Sequence, residues 1–322
     1  MRTMQIALLL GIAGLLTALP AQSQSWPTKP VRFVVSTTPG TGGDILARVI
    51  GERLSQALGQ PIVVENRPGA AGNIGAEMVA KSSPDGYTML LTNAALPITQ
   101  ATFAKPPFDV QKDFEHVALL GTSQFVLVVS SGVPVQNVQE LIAYAKARPD
   151  KLSFASVGIG SPIYLGLELF RLMTGTRFLH VPYKGSTPAL ADMAAGRVEL
   201  MFTTYSSAKS FIDSGKIRLL AAGGSARMQS KPEIPTVNEA GVKGFGVDGW
   251  FGVAMAAKTP EAIVNRIAQE AQTILAQAAV KEKLVTLGFD IAYEGPKELR
   301  QRIQREVALW TKLIKQLGIK PE

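Results

Sequence analysis

The chain has 322 residues, a formal net charge of +8 and no cysteine. That composition excludes disulfides, thiol catalysis, iron–sulfur clusters and thiolate zinc sites, and two histidines, His116 and His180, leave almost no room for a histidine metal site. The basic residues are scattered, without a dense run or aromatic interleaving, so the positive balance points to small anions rather than nucleic acid.

In chain order, Arg2 precedes an apolar run from Ile6 to Leu19, and Pro20, Ala21, Gln22 and Ser23 follow. This is the pattern of a secretory signal peptide over residues 1–23, with cleavage expected after Ser23. An uncleaved anchor is the competing reading, but the run is short against the ~20 apolar residues a span needs. The remainder is expected to be exported to the periplasm and held together by packing alone.

Val31–Val35 reads as a strand and Ile45–Leu58 as a helix with Ile45, Val49, Leu54 and Leu58 mostly on one face. Pro61–Glu65, Ile74–Lys81 and Tyr87–Thr92 continue as strand, helix and strand. Then come a long apolar run, Val117–Ser130, a helix over Val138–Arg148 and a strand over Leu152–Ala155. A helix over Pro188–Ala195 follows, with strands over Val198–Phe202, Ile217–Ala222 and Phe251–Ala256. The remainder reads as helices Glu261–Gln277, Val280–Leu287 and Lys297–Leu317, with a short strand near Phe289–Tyr293. Such alternation implies right-handed βαβ units, mainly parallel sheets and an α/β fold with room for two domains.

Loops after strands and before helices occur in both halves: Ser36–Asp44 and Arg67–Gly75 first, Ser156–Ser161 and Tyr183–Pro188 later. In open α/β sheets ligands bind outside the carboxyl ends of the strands, so two facing lobes would form a cleft lined by N–H donors. The first loop, "STTPGTGGD", is neither a P-loop nor a dinucleotide fingerprint, because Ile45 stands where both patterns require glycine. Its backbone and the hydroxyls of Ser36, Thr37, Thr38 and Thr41 suit a carboxylate, whereas a plain strand–helix turn would also need glycine. Asp44 reads as a helix cap, and Gly69–Gly72 would let a ligand approach the backbone. Arg67 either pairs with a ligand or braces its loop. Trp250, Tyr164 and Tyr205 either pack or reach a ligand. No GxSxG elbow is present, and the SxxK match at Ser206–Lys209 lacks its companion motifs. His180 reads as a structural histidine.

The stretches "WPTKPVRFVV", "PGTGGDILARVI", "VVENRPGAAGNIGAEMVAKSSPDGYTMLL", "ASVGIGSPIYLGLELF", "HVPYKGSTPALADMAAGRVELMF" and "IPTVNEAG…GWFGVAM" resemble the tripartite tricarboxylate transporter receptor family, the Bug-type periplasmic solute-binding proteins. The resemblance covers nearly all of the chain after residue 23. It implies a type II periplasmic-binding-protein fold, two α/β lobes joined by crossover strands around a central cleft. The expected lobe boundaries are 24–124 and 248–322 for lobe one, and 125–247 for lobe two. It also implies a non-catalytic receptor for a small organic acid, often a dicarboxylate, delivered to membrane permease subunits. In the family, Ser36–Asp44 and Pro68–Asn73 would grip one carboxylate, partly through water, and Ser156–Ser161 would hold the other acid group at a helix N-terminus.

The expected ligand-binding set is Ser36, Thr37, Thr38, Thr41, Gly42, Gly43, Asp44, Ala71, Gly72, Asn93, Ser156, Gly158, Gly160, Ser161, Tyr164, Lys184, Thr204 and Trp250. No catalytic residue, metal or cofactor is expected, and a monomer is. The first loop departs from the family's usual PFPPGGGTD, Tyr164 stands where histidine is common, and Thr203 where an acidic residue is common. The hydroxyls and aromatics favour an aromatic or otherwise rigid dicarboxylate; an aliphatic di- or tricarboxylate, a ligand sensor and an exported hydrolase remain alternatives.

Overall fold

The computed structural model describes residues 26–316 and 318, so the expected signal peptide lies outside the described residues. The β-branched run becomes strand β1 (Val31–Val35), in which Val31, Phe33, Val34 and Val35 are fully buried. Burial of neighbouring positions means that both sheet faces are covered, as parallel sheets require. Helix α1 (Gly42–Leu58) turns Leu46, Ile50 and Leu54 onto that sheet and ends at Gly59, whose φ of 67° suits only the left-handed cap.

The chain then alternates through β2 (Ile62–Asn66), a 3₁₀ turn (Ala70–Gly72), α2 (Asn73–Ala80), β3 (Thr88–Asn93), α3 (Ala95–Thr102) and β4 (Phe114–Thr122). The second half contains β5 (Phe125–Ser130), α4 (Val138–Lys146), β6 (Ser153–Ser156), α5 (Pro162–Thr174), β7 (Leu179–Pro182), α6 (Ser186–Ala194), β8 (Leu200–Thr204), α7 (Tyr205–Asp213) and β9 (Ile217–Ala222). It closes with β10 (Trp250–Ala256), α8 (Glu261–Ala276), α9 (Ala278–Thr286) and α10 (Pro296–Gln316).

Two five-stranded sheets result, ordered β2-β1-β3-β10-β4 and β7-β6-β8-β5-β9. In the first, β1 pairs in parallel with β2 and β3, while β10 runs antiparallel to β3 and β4. In the second, β6 is parallel to β7 and β8, and β5 antiparallel to β8 and β9. The apolar run Val117–Ser130 is therefore two strands in different sheets, broken at Ser123 and Gln124 where the chain changes lobe. It returns beside that point: a Cβ on Gly249 would lie 2.4 Å from the carbonyl oxygen of Ser123, so only glycine fits.

Four readings differ from the structure. The sheets are not mainly parallel: in each, two of the four pairings are antiparallel, because β10 and β5 run against both of their neighbours. Residues 289–293 form no strand; Asp290 and Glu294 make only isolated bridges to Thr122 and Leu119 of β4. Helix α6 begins at Ser186, two residues before Pro188, since proline is well tolerated in a first turn. Helices α3 and α7 carry no clear sequence signal, because they are short and α3 contains a proline, and packing alone holds them. The last helix, α10, spans both lobes: Leu299 and Ile303 pack with Val34 and Trp250, whereas Trp310 and Ile314 join the core of the second lobe.

His116 on β4 is 1 % exposed, and its Nε2–H donates to the Val110 carbonyl at 3.0 Å while Nδ1 has no partner among the described residues. Burial pushes its pKa from 6.5 down to about 4, the Val110 bond opposes this, and the Arg300 charge adds to it. The unfolded chain thus binds this proton more readily than the folded one. The stability contribution is complete above pH 6.5 and is lost as pH falls towards about 4, amounting to about 3 kcal/mol. Urea titrations between pH 4 and 7 should show this slope, and His116→Gln should flatten it. An unchanged slope would assign it to other groups.

Candidate ligand-binding cleft

A cavity of about 720 Å³, open at its mouth, lies between the two sheets and is lined from both lobes. Of the expected residues it brings together Ser36, Thr37, Thr38, Thr41, Gly43, Ala71, Gly72, Asn93, Ser161, Lys184, Thr204 and Trp250. Most of these sit in the loops between a strand end and the start of the next helix, and Trp250 opens β10. The N-terminal ends of α1, α2, α3, α5, α6 and α7 all reach the wall, through Thr41, Gly72, Ala94, Ser161, Gly185 and Thr204. Six positive dipole ends converge on one space, and no side chain caps those of α2 and α6. Lys184 is the only charged side chain in the lining, and it is exposed at the mouth with no ion-pair partner among the described residues. The arrangement therefore favours an anion and disfavours a cation.

Local geometry explains how the loops present their backbone. Ala70 and Ala71 have φ of 46° and 55°, and Gly72 has φ of 99°. Two consecutive non-glycine residues in the left-handed region are costly, and such strain clusters at binding loops. Across the cleft, Ser161 caps α5 by accepting from the Tyr164 N–H at 3.2 Å, and its own hydroxyl donates to the Gly158 carbonyl at 2.6 Å. Behind Ser36, Gly72 and Asn93 lies a recess of about 220 Å³. It contains Asn73 Nδ2 and Thr92 Oγ1, both buried without a hydrogen-bond partner, which suits ordered water reaching towards a ligand.

Six expected residues do not line the cavity. Gly42 donates its N–H to Ser207 Oγ at 2.9 Å, bridging the lobes instead. Asp44 is not the cap of α1, a position held by Thr41; it accepts from the Gly40 N–H at 2.9 Å and from Arg48 at 2.9 Å. Burial pushes its pKa up, but those hydrogen bonds outweigh it and hold the carboxyl below its ordinary value. Gly158 faces Ala71, Gly160 faces Thr102, and Tyr164 packs beside His180 with ring centroids 5.0 Å apart. Ser156 is fully buried, with its Oγ 2.6 Å from His180 Nε2.

Among the described residues that serine–histidine contact is the one nucleophile–base geometry near the cleft, and sequence spacing gave no sign of it. Ser156 is outside the cavity wall, and His180 stacks on Phe154 at 4.8 Å. Burial lowers the His180 pKa against the pull of Glu168. Ser156 is fully buried and its oxygen also accepts from the Gly158 N–H at 3.2 Å, so the pair reads as structural. Lys209 of the SxxK match is engaged with Asp213, and Arg67 pairs with Glu65.

Sequence reasoning missed the apolar part of the wall: Phe125, Val157, Ile163 and Phe251, as well as Ser207. Trp250 packs, as one of its readings expected, and the residue also lines the cavity. It is 2 % exposed, its side chain joins the core beside Val34 and Leu299, and its Nε1–H donates to both oxygens of Glu306 at 2.9 Å.

Residues 46–319 match the family model described as the tripartite tricarboxylate transporter family receptor. The chain belongs to this family. Receptors of this family are periplasmic solute-binding proteins, and no helix of the described residues is long and apolar enough to cross a membrane. Protein BugT of Bordetella pertussis is 33% identical over 317 residues, 98% of this chain and 97% of that protein. Among solved structures, R. palustris Rpa4515 with adipate superposes with a TM-score of 0.89 at 36% identity, covering 92% of this chain and 100% of that one. MatC from Rhodopseudomonas palustris with bound malate gives 0.84 at 31% identity, covering 90% and 100%. The two lobes with their crossover strands are thus those of a periplasmic binding protein, as the sequence motifs implied.

Proposed function

We propose that this family member is a non-catalytic receptor that captures a small carboxylate in the cleft and delivers it to membrane permease subunits. The observation that carries the reading is electrostatic: six helix N-termini and Lys184 meet in a cavity whose lining contains no acidic side chain. Carboxylates bound in the related structures, adipate and malate, agree with it. The ligand contacts come from the loop ends of both lobes, so binding stabilises the closed arrangement by its differential affinity for it. The apolar wall of Phe125, Ile163 and Phe251 favours a ligand with an apolar or aromatic body over a compact polyanion. The protein acts in the periplasm as a monomer, after loss of residues 1–23, without metal, cofactor or nucleic acid.

A thermal-shift series of the purified protein with malate, adipate and aromatic carboxylates, against neutral sugars and amines, tests the reading. A carboxylate present at a hundredfold excess over Kd adds about 2.7 kcal/mol of stability, whereas sugars and amines add none. A shift with amines alone, or turnover of an ester without any carboxylate shift, would refute it.

A further inference from the structure

The first loop holds three threonines whose hydroxyl protons can be followed to their acceptors. Thr41 Oγ1 lies 2.8 Å from the Thr38 carbonyl, which can only accept, so Thr41 donates there. Thr37 Oγ1 lies 2.8 Å from Thr41 Oγ1, whose proton is already committed, so Thr37 is the donor in that bond. Thr187 Oγ1 donates to the Pro39 carbonyl at 2.8 Å, so Thr38 Oγ1, 3.2 Å away, donates to Thr187. All three protons are spent inside the protein. Thr37 and Thr38 still border the cavity, and their hydroxyl oxygens accept no hydrogen bond from the protein among the described residues.

A carboxylate is acceptor-only and gains nothing from such oxygens. Its donors come from elsewhere in the wall, from Lys184, from Ser36, which accepts from Asn93 and keeps its proton, and from the helix N-termini. We infer that the ligand is a hydroxy-carboxylate, whose hydroxyl donates to Thr37 while its acid group is held by the positive part of the cleft. An ammonium could donate equally well, but it would meet Lys184 and six positive helix ends with no acidic side chain in the lining to offset them. The inference rests on the carboxylate reading and narrows it. Thr37 becomes the residue that sets specificity.

The test is calorimetric titration of the full chain with matched pairs that differ by one hydroxyl: malate and succinate, lactate and propionate, 4-hydroxybenzoate and benzoate. Aspartate and alanine serve as amino counterparts. In at least one skeleton the hydroxy acid should bind about tenfold tighter than its deoxy partner, the usual cost of an acceptor left unmet. Thr37→Val should bring that ratio close to one, whatever the loss of the Thr41 bond does to the affinity for the deoxy acid, and Thr37→Ser should keep it. Equal affinities within every pair that binds, or a ratio that survives Thr37→Val, would overturn the inference while leaving carboxylate capture intact. Preference for the amino counterpart would also overturn it. If no carboxylate binds, the receptor reading falls and this inference with it.

Discussion

Gly42→Val weakens carboxylate binding by at least about tenfold and leaves the melting temperature of the ligand-free protein nearly unchanged. Gly42 opens α1 in the first lobe, and a Cβ there would lie 2.0 Å from Ser206 Oγ and 3.1 Å from Ser206 Cβ in the second. Ser206 cannot easily yield, because its N–H and hydroxyl both contact Ser123 Oγ, at 3.2 and 2.8 Å. Overpacking of this kind costs about 1–3 kcal/mol, and the clash lies between residues of the two lobes. Neither Gly42 nor Ser206 belongs to a hydrophobic core, so the wedge is expected to shift the equilibrium between open and closed forms rather than unfold the chain. Titration gives the loss of affinity, and small-angle scattering should show an expanded particle even with ligand present. Wild-type affinity in this variant would mean that ligand binding does not require the lobes to meet at this point.

Trp250→Ala removes about 3–5 kcal/mol of stability, measured by urea unfolding at constant m-value. The ring packs with Val34, Leu119 and Leu299, and its indole N–H holds the Glu306 carboxylate. Burial pushes the Glu306 pKa up, opposed by the Trp250 N–H and by Arg302. A buried acid with a raised pKa favours folding in its protonated form. Its contribution is therefore largest below the unfolded value of 4.5 and declines as pH rises through the raised folded value. Trp250→Phe keeps most of the ring but deletes the donor, which makes that decline steeper. Its destabilisation should be larger at pH 8 than at pH 5, and equal losses at the two would show that Glu306 does not depend on this bond.

Much of the site's address was legible before its chemistry. Local rules place the glycine loops: a β-branched run, then glycine with small or hydroxyl residues, then a helical period, repeated in both halves. Nine of the twelve expected residues that line the cavity lie in these loops; Asn93, Thr204 and Trp250 sit at strand ends. The apolar wall was not legible, because Phe125 and Phe251 lie in runs that read simply as buried strand. Only the crossing of β4 into β5 and the return at Gly249 turn their ends towards the cleft. Ser156 and His180, 24 residues apart, meet because β6 and β7 are neighbours, a pairing that no local pattern announces.

From residues alone came the α/β class, the family resemblance, the anion-friendly loops and the exclusion of nucleotide motifs at Ile45. These depend on periodicity, turn chemistry and composition, which act over a few residues. The tertiary structure decided which way the hydroxyls of "STTPGTGGD" point. Thr38 finds its acceptor in Thr187, 149 residues further on, and Thr37, which lines the cavity, is left with an oxygen that accepts no hydrogen bond among the described residues. A hydroxyl is donor and acceptor at once, and only its neighbours in space settle which role remains for a ligand.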